Sequence, residues 1–377
     1  MRILIAPNAF KNSLDADAAA NAIREGFLQS RLNCGCRCFP VGDGGDGTAA
    51  LLVQRLNGIQ VPVEVSDPFG RKIKTSFGLI DNGQTAVIEM ADAVGLRLLQ
   101  TAELNPLIAS SFGTGEMIVA TLNRGVKKII VGMGGSATVD GGCGILQALG
   151  IRFMNGDGRE LKNIPADLIN LTHIDTEHID QRILSCETIV LCDVNNHLLG
   201  EKGAAAVFGP QKGATPDAVQ QLEAALSKLA EIAIAIGAKN MDGTLRGGTA
   251  GGAAAGLYAF TNAQLVNGID YFLDITFFDA ALADADLVIT GEGSIDEQTL
   301  NGKAPYGVAC RAKKKGIPVI GMAGNIPSEP IAGLLHFFDK LVSINEDGYD
   351  METALQLTPK NLTRTAMEIG NLLALKQ

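Results

Sequence analysis

The stretch IIVGMGGSATVDGGCG, Ile129–Gly144, decides how the rest of the chain is read. Its first three residues are apolar and β-branched, the signature of a buried strand. Six glycines follow within Gly132–Gly144, with Ser136, Thr138 and Asp140 as the clearly polar side chains. Glycine admits positive φ and leaves backbone N–H groups unshielded, at an entropic cost. A row of such groups after a strand makes a concave anion site, typically for phosphate. The hydroxyls and the carboxylate add what a phosphate site with a metal requires. A bare strand–helix junction would need fewer glycines and no polar side chains.

Composition narrows the setting. The chain has 377 residues, which favours two domains over one. Hydrophobic residues make up 46%, glycine is abundant at 45 residues, and aromatics fall to 5% with no tryptophan. That balance favours an α/β protein with many working loops. A net charge of −10 gives no basis for nucleic-acid or anionic-membrane binding. The N-terminal apolar run is too short for a signal peptide, and no run approaches the ~20 apolar residues of a membrane span. Cys34, Cys36 and Cys38 alternate, which fits one face of a strand better than a zinc site. The expected compartment is the reducing cytoplasm, and a homo-oligomer is compatible with the sequence.

Working outward, Arg2–Pro7 is a short apolar strand, followed by helical spacing over Ala16–Leu28 that Ser13 or Asp15 can cap. A second strand ends near Val41, and GDGGDGT (Gly42–Thr48) leads into another helix. This order belongs to a parallel sheet. From Asn57 the pattern changes: Val61, Val63 and Val65 alternate, as do Ile73, Thr75 and Phe77, around the turn Asp67–Gly70. Strands are also expected at Thr85–Met90, Lys128–Val131 and Thr188–Cys192, and a helix begins at Thr215-Pro216 and ends at Gly237. From Asp284 the chain returns to βα alternation, with strands at Leu287–Thr290, Pro318–Ala323 and Lys340–Ile344. The expected architecture is α/β: a discontinuous Rossmann-like parallel-sheet domain, 1–58 with 284–377, plus an inserted mixed α/β domain, 59–283. A cleft between two such domains is a preferred ligand site.

The motifs carry different weights. Gly132-x-Gly134-x-x-Ala137 formally satisfies a dinucleotide fingerprint, but no acidic strand end follows about 20 residues on. An NAD(P)-dependent oxidoreductase of a small hydroxy acid, or a non-catalytic nucleotide-binding protein, therefore stands as the alternative. Gly302-Lys303 imitates a Walker A loop, yet glycine is missing at 297 and Ser/Thr at 304, so it is not a P-loop. The loop Gly42–Thr48 places Asp43 and Asp46 among glycines, which suits Mg²⁺ held partly through water and lacks the spacing of an EF-hand. Asp193 closes an apolar strand, a rigid place for a catalytic carboxylate. Lys11 and Ser13 can meet an anion at a helix start.

Taken together and in this order, these loops resemble the bacterial glycerate kinase family of the type-1 class. The resemblance rests on APNAFKNSL (Ala6–Leu14), VGDGGDGT, EMADAVGL (Glu89–Leu96), SFGTGE (Ser111–Glu116), GMGGSATVDGGCG, CDVNN, VFGPQKGA, GTAGGAAAG, ITGEGSIDEQT and NGKAPYGVA, and covers nearly the whole chain. The family usually has Asp-Ser at Asn8-Ala9, Gly at Asn12, Ala at Gly42, Glu at Asp46 and Asn at Val139. A carboxylate is thus missing at position 8. The resemblance implies a two-domain α/β enzyme that phosphorylates D-glycerate with ATP and Mg²⁺, in most members to 2-phosphoglycerate.

Phosphoryl transfer needs positioning and charge neutralisation more than covalent catalysis. The expected site assigns ATP phosphates to Gly134, Gly135, Ser136 and Thr138, with Glu292 and Lys303 also on the nucleotide. Asp43 or Asp193 holds Mg²⁺ and the other accepts the hydroxyl proton, with Asp193 favoured as base. Lys11, Ser13 and Arg71 are candidates for the substrate, and Lys212 or Lys303 offsets charge on the transferred group. The sequence leaves open which hydroxyl reacts, which carboxylate is the base, the nucleotide preference and the oligomeric state.

Overall fold

A computed structural model describes residues 1–327, 332–346 and 348–375. Thirteen strands occur among them: β1 (Arg2–Pro7), β2 (Gly35–Cys38), β3 (Ile59–Ser66), β4 (Lys72–Ile80), β5 (Thr85–Glu89), β6 (Lys128–Gly132), β7 (Arg152–Met154), β8 (His173–Asp175), β9 (Glu187–Cys192), β10 (Gln264–Asn267), β11 (Leu287–Ser294), β12 (Val319–Asn325) and β13 (Lys340–Ser343). The chain packs as two compact units, Met1–Asp43 with Gly268–Gln377, and Gly44–Asn267.

The first unit carries a five-stranded sheet in the order β13-β12-β11-β1-β2, parallel throughout. Such a sheet must be covered on both faces, so its strands read as continuous apolar runs. Ile3 and Ile5 join Ile289, Met322, Phe27, Leu362 and Ile369 in a core on one face, under helices Ala16–Gln29 and Met351–Ala374. Those helices come so close that a methyl on Gly26 would lie 2.2 Å from the Thr363 carbonyl. Asp15, not Ser13, caps the first of them, accepting from the Ala18 N–H at 2.7 Å. β2 ends at Cys38, short of the expected Val41, although Phe39 and Val41 still donate to β1 carbonyls. Cys34, Cys36 and Cys38 share one half-buried face while Gly35 and Arg37 are exposed.

The second unit is built on a six-stranded sheet, β10-β9-β6-β5-β4-β3. β3, β4 and β5 form the expected antiparallel meander, and β5, β6, β9 and β10 then run parallel. Helix Phe112–Asn123 packs beside helix Cys143–Ala148, and helix Pro216–Ala235 starts at a Thr215 cap. The short hairpin β7–β8 and the strand β10 are additions to the sequence reading; three or four residues give too little alternation to register as strands.

The sequence reading places the domain junctions at 58/59 and 283/284, whereas the compact units divide at 43/44 and 267/268. The reason is packing. Helix Thr48–Arg55 lies on β4 and β5, and helices Gly268–Ile275 and Phe278–Leu282 pack with each other, the former also against Ala304–Lys314. The helices themselves are local signals, but the elements each one packs against are not.

Candidate active site

In the second unit the parallel strands end level with one another: Glu89 of β5 pairs in register with Gly132 of β6, and Gly132 with Leu191 of β9. Ligands of parallel sheets bind beyond such carboxyl ends. Here the Gly132–Gly144 loop leaves β6 and meets the loop that starts at Gly44. The Gly134 N–H donates to the Gly44 carbonyl at 2.8 Å, and a methyl on Gly134 would lie 2.4 Å from the Gly45 Cα. Gly135 has φ 72°, and a methyl there would lie 2.1 Å from the Asp46 carboxylate. Gly134 is therefore required by close backbone approach and Gly135 by its left-handed φ.

Lys212 enters this loop from the side. It is only 3% exposed, and its Nζ donates to Ser136 Oγ at 3.0 Å and to the Thr138 carbonyl at 2.7 Å. Burying an ammonium is costly unless its protons are taken up, so its placement is deliberate. The Thr138 hydroxyl is buried and has no hydrogen-bond partner among the described residues. Gly134, Gly135, Ser136, Thr138 and Lys212 are thus brought together in one loop region. A second small-residue segment supports them: Gly141 N donates to the Gly251 carbonyl at 3.0 Å, and a methyl on Gly251 would lie 2.1 Å from the Thr138 carbonyl. Asp193 stands one residue past β9, half-buried.

Two carboxylates of this unit have different work. Asp140 is fully buried and accepts from Ser111 N (2.8 Å), Ser111 Oγ (2.7 Å), Gly142 N (3.1 Å) and Gly144 N (3.1 Å). It caps helix Cys143–Ala148 and is committed to structure. Glu89 accepts from Gly47 N at 2.7 Å and Ala49 N at 3.1 Å, capping helix Thr48–Arg55 from another strand. Burial pushes its carboxyl up to about 7, with Asp92 and Asp46 adding to the rise and the two N–H bonds opposing it. Arg71 is already divided between Asp67 and Glu103 at the β3–β4 turn, and its side chain is 52% exposed.

In the first unit the chain leaves the sheet centre in both directions, through β1 to β2 and through β11 to β12 and β13. Such a switch point opens a crevice at the strand carboxyl ends. Asp43, 6% exposed, accepts from Asn8 Nδ2 at 3.1 Å and from Ala304 N at 3.4 Å, at the start of helix Ala304–Lys314. Glu292 at the end of β11 is pushed up to about 8, by burial first; Lys303 opposes the rise and Asp43 and Asp296 add to it. Asp43, Glu292 and Lys303 therefore share one electrostatic neighbourhood. Lys11 is exposed, and its backbone N would lie 3.7 Å from a methyl on Gly293. Ser13 donates its hydroxyl to the Leu355 carbonyl at 2.6 Å, which ties the loop to the C-terminal helix.

Sequence reasoning missed Glu89, the structural task of Asp140, and the Asn8–Asp43 contact. Each joins residues at least 29 positions apart, so no local pattern announces it. No group of three or more His, Cys, Asp or Glu side chains among the described residues is arranged to hold a metal. A magnesium ion needs no such cage, since one or two carboxylates, water and substrate phosphates suffice. The buried Asp43 and Glu292 carboxyls suit that need. The dinucleotide fingerprint does not: β6 ends at Gly132 and the next helix starts only at Cys143, so no helix opens within the motif.

Strand-end carboxylates, a glycine cradle and a buried lysine suit phosphoryl transfer, the chemistry of phosphotransferases. Comparisons with known proteins supply the rest. The model of the Glycerate kinase family matches residues 3–374. A glycerate kinase of Bacillus subtilis (strain 168) is 44% identical over 371 residues, spanning 98% of this chain and 97% of its own. A glycerate 2-kinase of Escherichia coli (strain K12) is 38% identical over 378 residues, spanning 100% and 98%. A crystal structure of a Salmonella typhimurium LT2 protein assigned as glycerate kinase 2 superposes with a TM-score of 0.81 at 41% identity, covering 100% of this chain and 99% of that one. The chain belongs to the glycerate kinase family, and is a kinase.

Proposed function

We propose that this chain transfers the γ-phosphoryl group of ATP to the 2-hydroxyl of D-glycerate, with Mg²⁺. The observation that carries the reading is the glycine cradle with Lys212 buried in it, a device suited to polyphosphate. The relative in Escherichia coli that is named a glycerate 2-kinase supports the choice of hydroxyl. In this reading the Gly135 N–H and the hydroxyls of Ser136 and Thr138 hold ATP phosphates, while Gly134, whose N–H is taken by the Gly44 carbonyl, shapes the cradle. Lys212 offsets charge on the transferred group. Asp193 accepts the proton of the attacking hydroxyl, and Asp43 is the carboxylate for Mg²⁺. Magnesium supplies charge neutralisation on the phosphates when bound. Glu292 and Lys303 complete the nucleotide side.

For the glycerate carboxylate, Lys11 is favoured over Arg71. Lys11 is exposed at the carboxyl end of β1, whereas the guanidinium of Arg71 already serves Asp67 and Glu103. Ser13 supports that loop through Leu355 and keeps its oxygen as an acceptor. Need for ATP and seven free cysteines favour the cytoplasm as the compartment.

The test is ADP release coupled to a visible readout, with D-glycerate, ATP and Mg²⁺. ADP release that requires D-glycerate is expected. The phosphorus NMR signal of the product then reads the position. Phosphate on the 2-oxygen couples to one adjacent proton and gives a doublet; phosphate on the 3-oxygen couples to two and gives a triplet. Reduction of a nicotinamide cofactor by glycerate, without ADP release, would overturn the reading.

A further inference from the structure

Asn8 follows β1, and its backbone N–H donates to the Gly291 carbonyl at 2.8 Å. Its side chain is held at both ends. Oδ1 accepts from the Ala9 N–H at 2.8 Å, and Nδ2 donates to Asp43 Oδ2 at 3.1 Å. These two contacts fix which end is which. A flipped amide would set its NH₂ against the Ala9 N–H and its oxygen against a carboxylate. The same Asp43 oxygen takes the Ala304 N–H at 3.4 Å, so one carboxylate oxygen is shared by the loop after β1 and the start of helix Ala304–Lys314. Asp43 is 6% exposed and cannot turn to solvent to find other donors.

We propose that Asn8 is a positioning residue for Asp43: a neutral donor that sets the direction of its carboxylate and adds no further carboxylate in hydrogen-bond contact with it. The proposal rests on the functional reading above for the role of Asp43 in the reaction. The physical basis is the choice of amide. An aspartate at position 8 would have nearly the same shape, and an oxygen would then stand where Nδ2 stands, 3.1 Å from Asp43 Oδ2. Two carboxylate oxygens at that separation repel unless a proton or a cation lies between them. Asn8 supplies the hydrogen itself, so Asp43 is oriented without either.

Asn8→Asp and Asn8→Ala in the full chain test this. The first readout is Mn²⁺ binding without nucleotide, by electron paramagnetic resonance at pH 8. Asn8→Asp is expected to bind Mn²⁺ about 10-fold more tightly than wild type, because a further carboxylate then lies against Asp43, and Asn8→Ala is not. The second readout is the split between kcat and KM. Asn8→Ala is expected to lower kcat by about 10- to 100-fold, with KM for ATP within about twofold, as a misaimed reactive group does. Saturating Mg²⁺ is expected to restore more of kcat in Asn8→Asp than in Asn8→Ala. Asn8→Asp keeps the side-chain shape and, with Mn²⁺ or Mg²⁺ present, offers a second variant if the smaller side chain fails to fold. Mn²⁺ binding by Asn8→Asp no tighter than by wild type, or unchanged kcat in Asn8→Ala, overturns the proposal. If the wild-type chain does not phosphorylate glycerate, the functional reading fails by itself and the Mn²⁺ comparison still decides the role of Asn8.

Discussion

Glu89 gives the sharpest quantitative test of how this protein is held together. Its carboxyl sits at the end of β5, 3% exposed, and binds the N–H groups of Gly47 and Ala49 at the start of helix Thr48–Arg55. Burial and the neighbouring Asp92 hold it at about 7, against an ordinary value of 4.5. A carboxyl whose folded value lies above its unfolded value contributes stability that is fully present below the unfolded value and is lost as pH rises through the folded one. The window therefore runs from about pH 4.5 to pH 7. At ~1.4 kcal/mol per unit, the loss between pH 5 and pH 8 is about 2 kcal/mol. Glu89→Gln removes the titration while keeping the shape. Its amide oxygen can serve only one of the two donors, which adds a penalty that does not vary with pH. The assay is thermal unfolding of wild type and Glu89→Gln at pH 5.0 and pH 8.0. The difference between the two proteins should move against wild type by roughly 4–8 °C on going to the higher pH, given the usual relation between stability and Tm for a unit of this size. A difference that is the same at both pH values refutes the argument, because it would mean that Glu89 is ionised in the folded protein without cost.

Three other substitutions separate structure from chemistry. Asp140→Asn sets an NH₂ group among four hydrogen-bond donors in a fully buried site and should cost about 3 kcal/mol or more, read from the denaturation midpoint; unchanged stability would remove Asp140 as the cap of helix Cys143–Ala148. Lys212→Met keeps the volume but removes the charge beside Ser136 and Thr138, and should lower kcat about 100-fold in steady-state kinetics, since preorganised charge at the transferred group is lost; full activity would make the lysine purely structural. Asp193→Asn should lower kcat by about 100-fold or more while ATP binding, followed by calorimetry, persists, and retained turnover would exclude it as the base.

Much of the architecture is legible because it is periodic. Strands β1, β5, β6 and β9 are short apolar runs bounded by polar loops, and β3 and β4 alternate around a turn with glycine in the left-handed region at Gly70, φ 81°. Glycine content marks the cradle too, since Gly134 fills a position where a methyl has no room and Gly135 one with left-handed φ. The contacts that complete the site are not periodic. Glu89 reaches back 42 positions to Gly47, Asp140 reaches 29 to Ser111, and Lys212 reaches 76 to Ser136. In the sequence Asp140 and Asp193 look alike, each a carboxylate beside glycine- or asparagine-rich loops. Only the donors around Asp140 show that it is spent on holding a helix.

That difference bears on how a buried carboxylate should be weighed in a glycine-rich loop. A carboxylate that accepts several backbone N–H groups is neutralised in place and gains nothing from a metal or a substrate proton. Asp140 is of this kind, with three backbone donors and one hydroxyl. Glu292 is the opposite case: its one hydrogen bond among those resolved comes from Thr299 Oγ1 at 3.4 Å, and burial with two nearby carboxylates holds it near 8. A group so placed is stabilised by any cation that arrives. Asp43 accepts an amide and a distant N–H on the same oxygen. The donors already bound thus separate the two extremes: Asp140 is spent on structure, whereas Glu292, held near 8 and so largely protonated at neutral pH, would ionise more readily if a cation came to lie beside it.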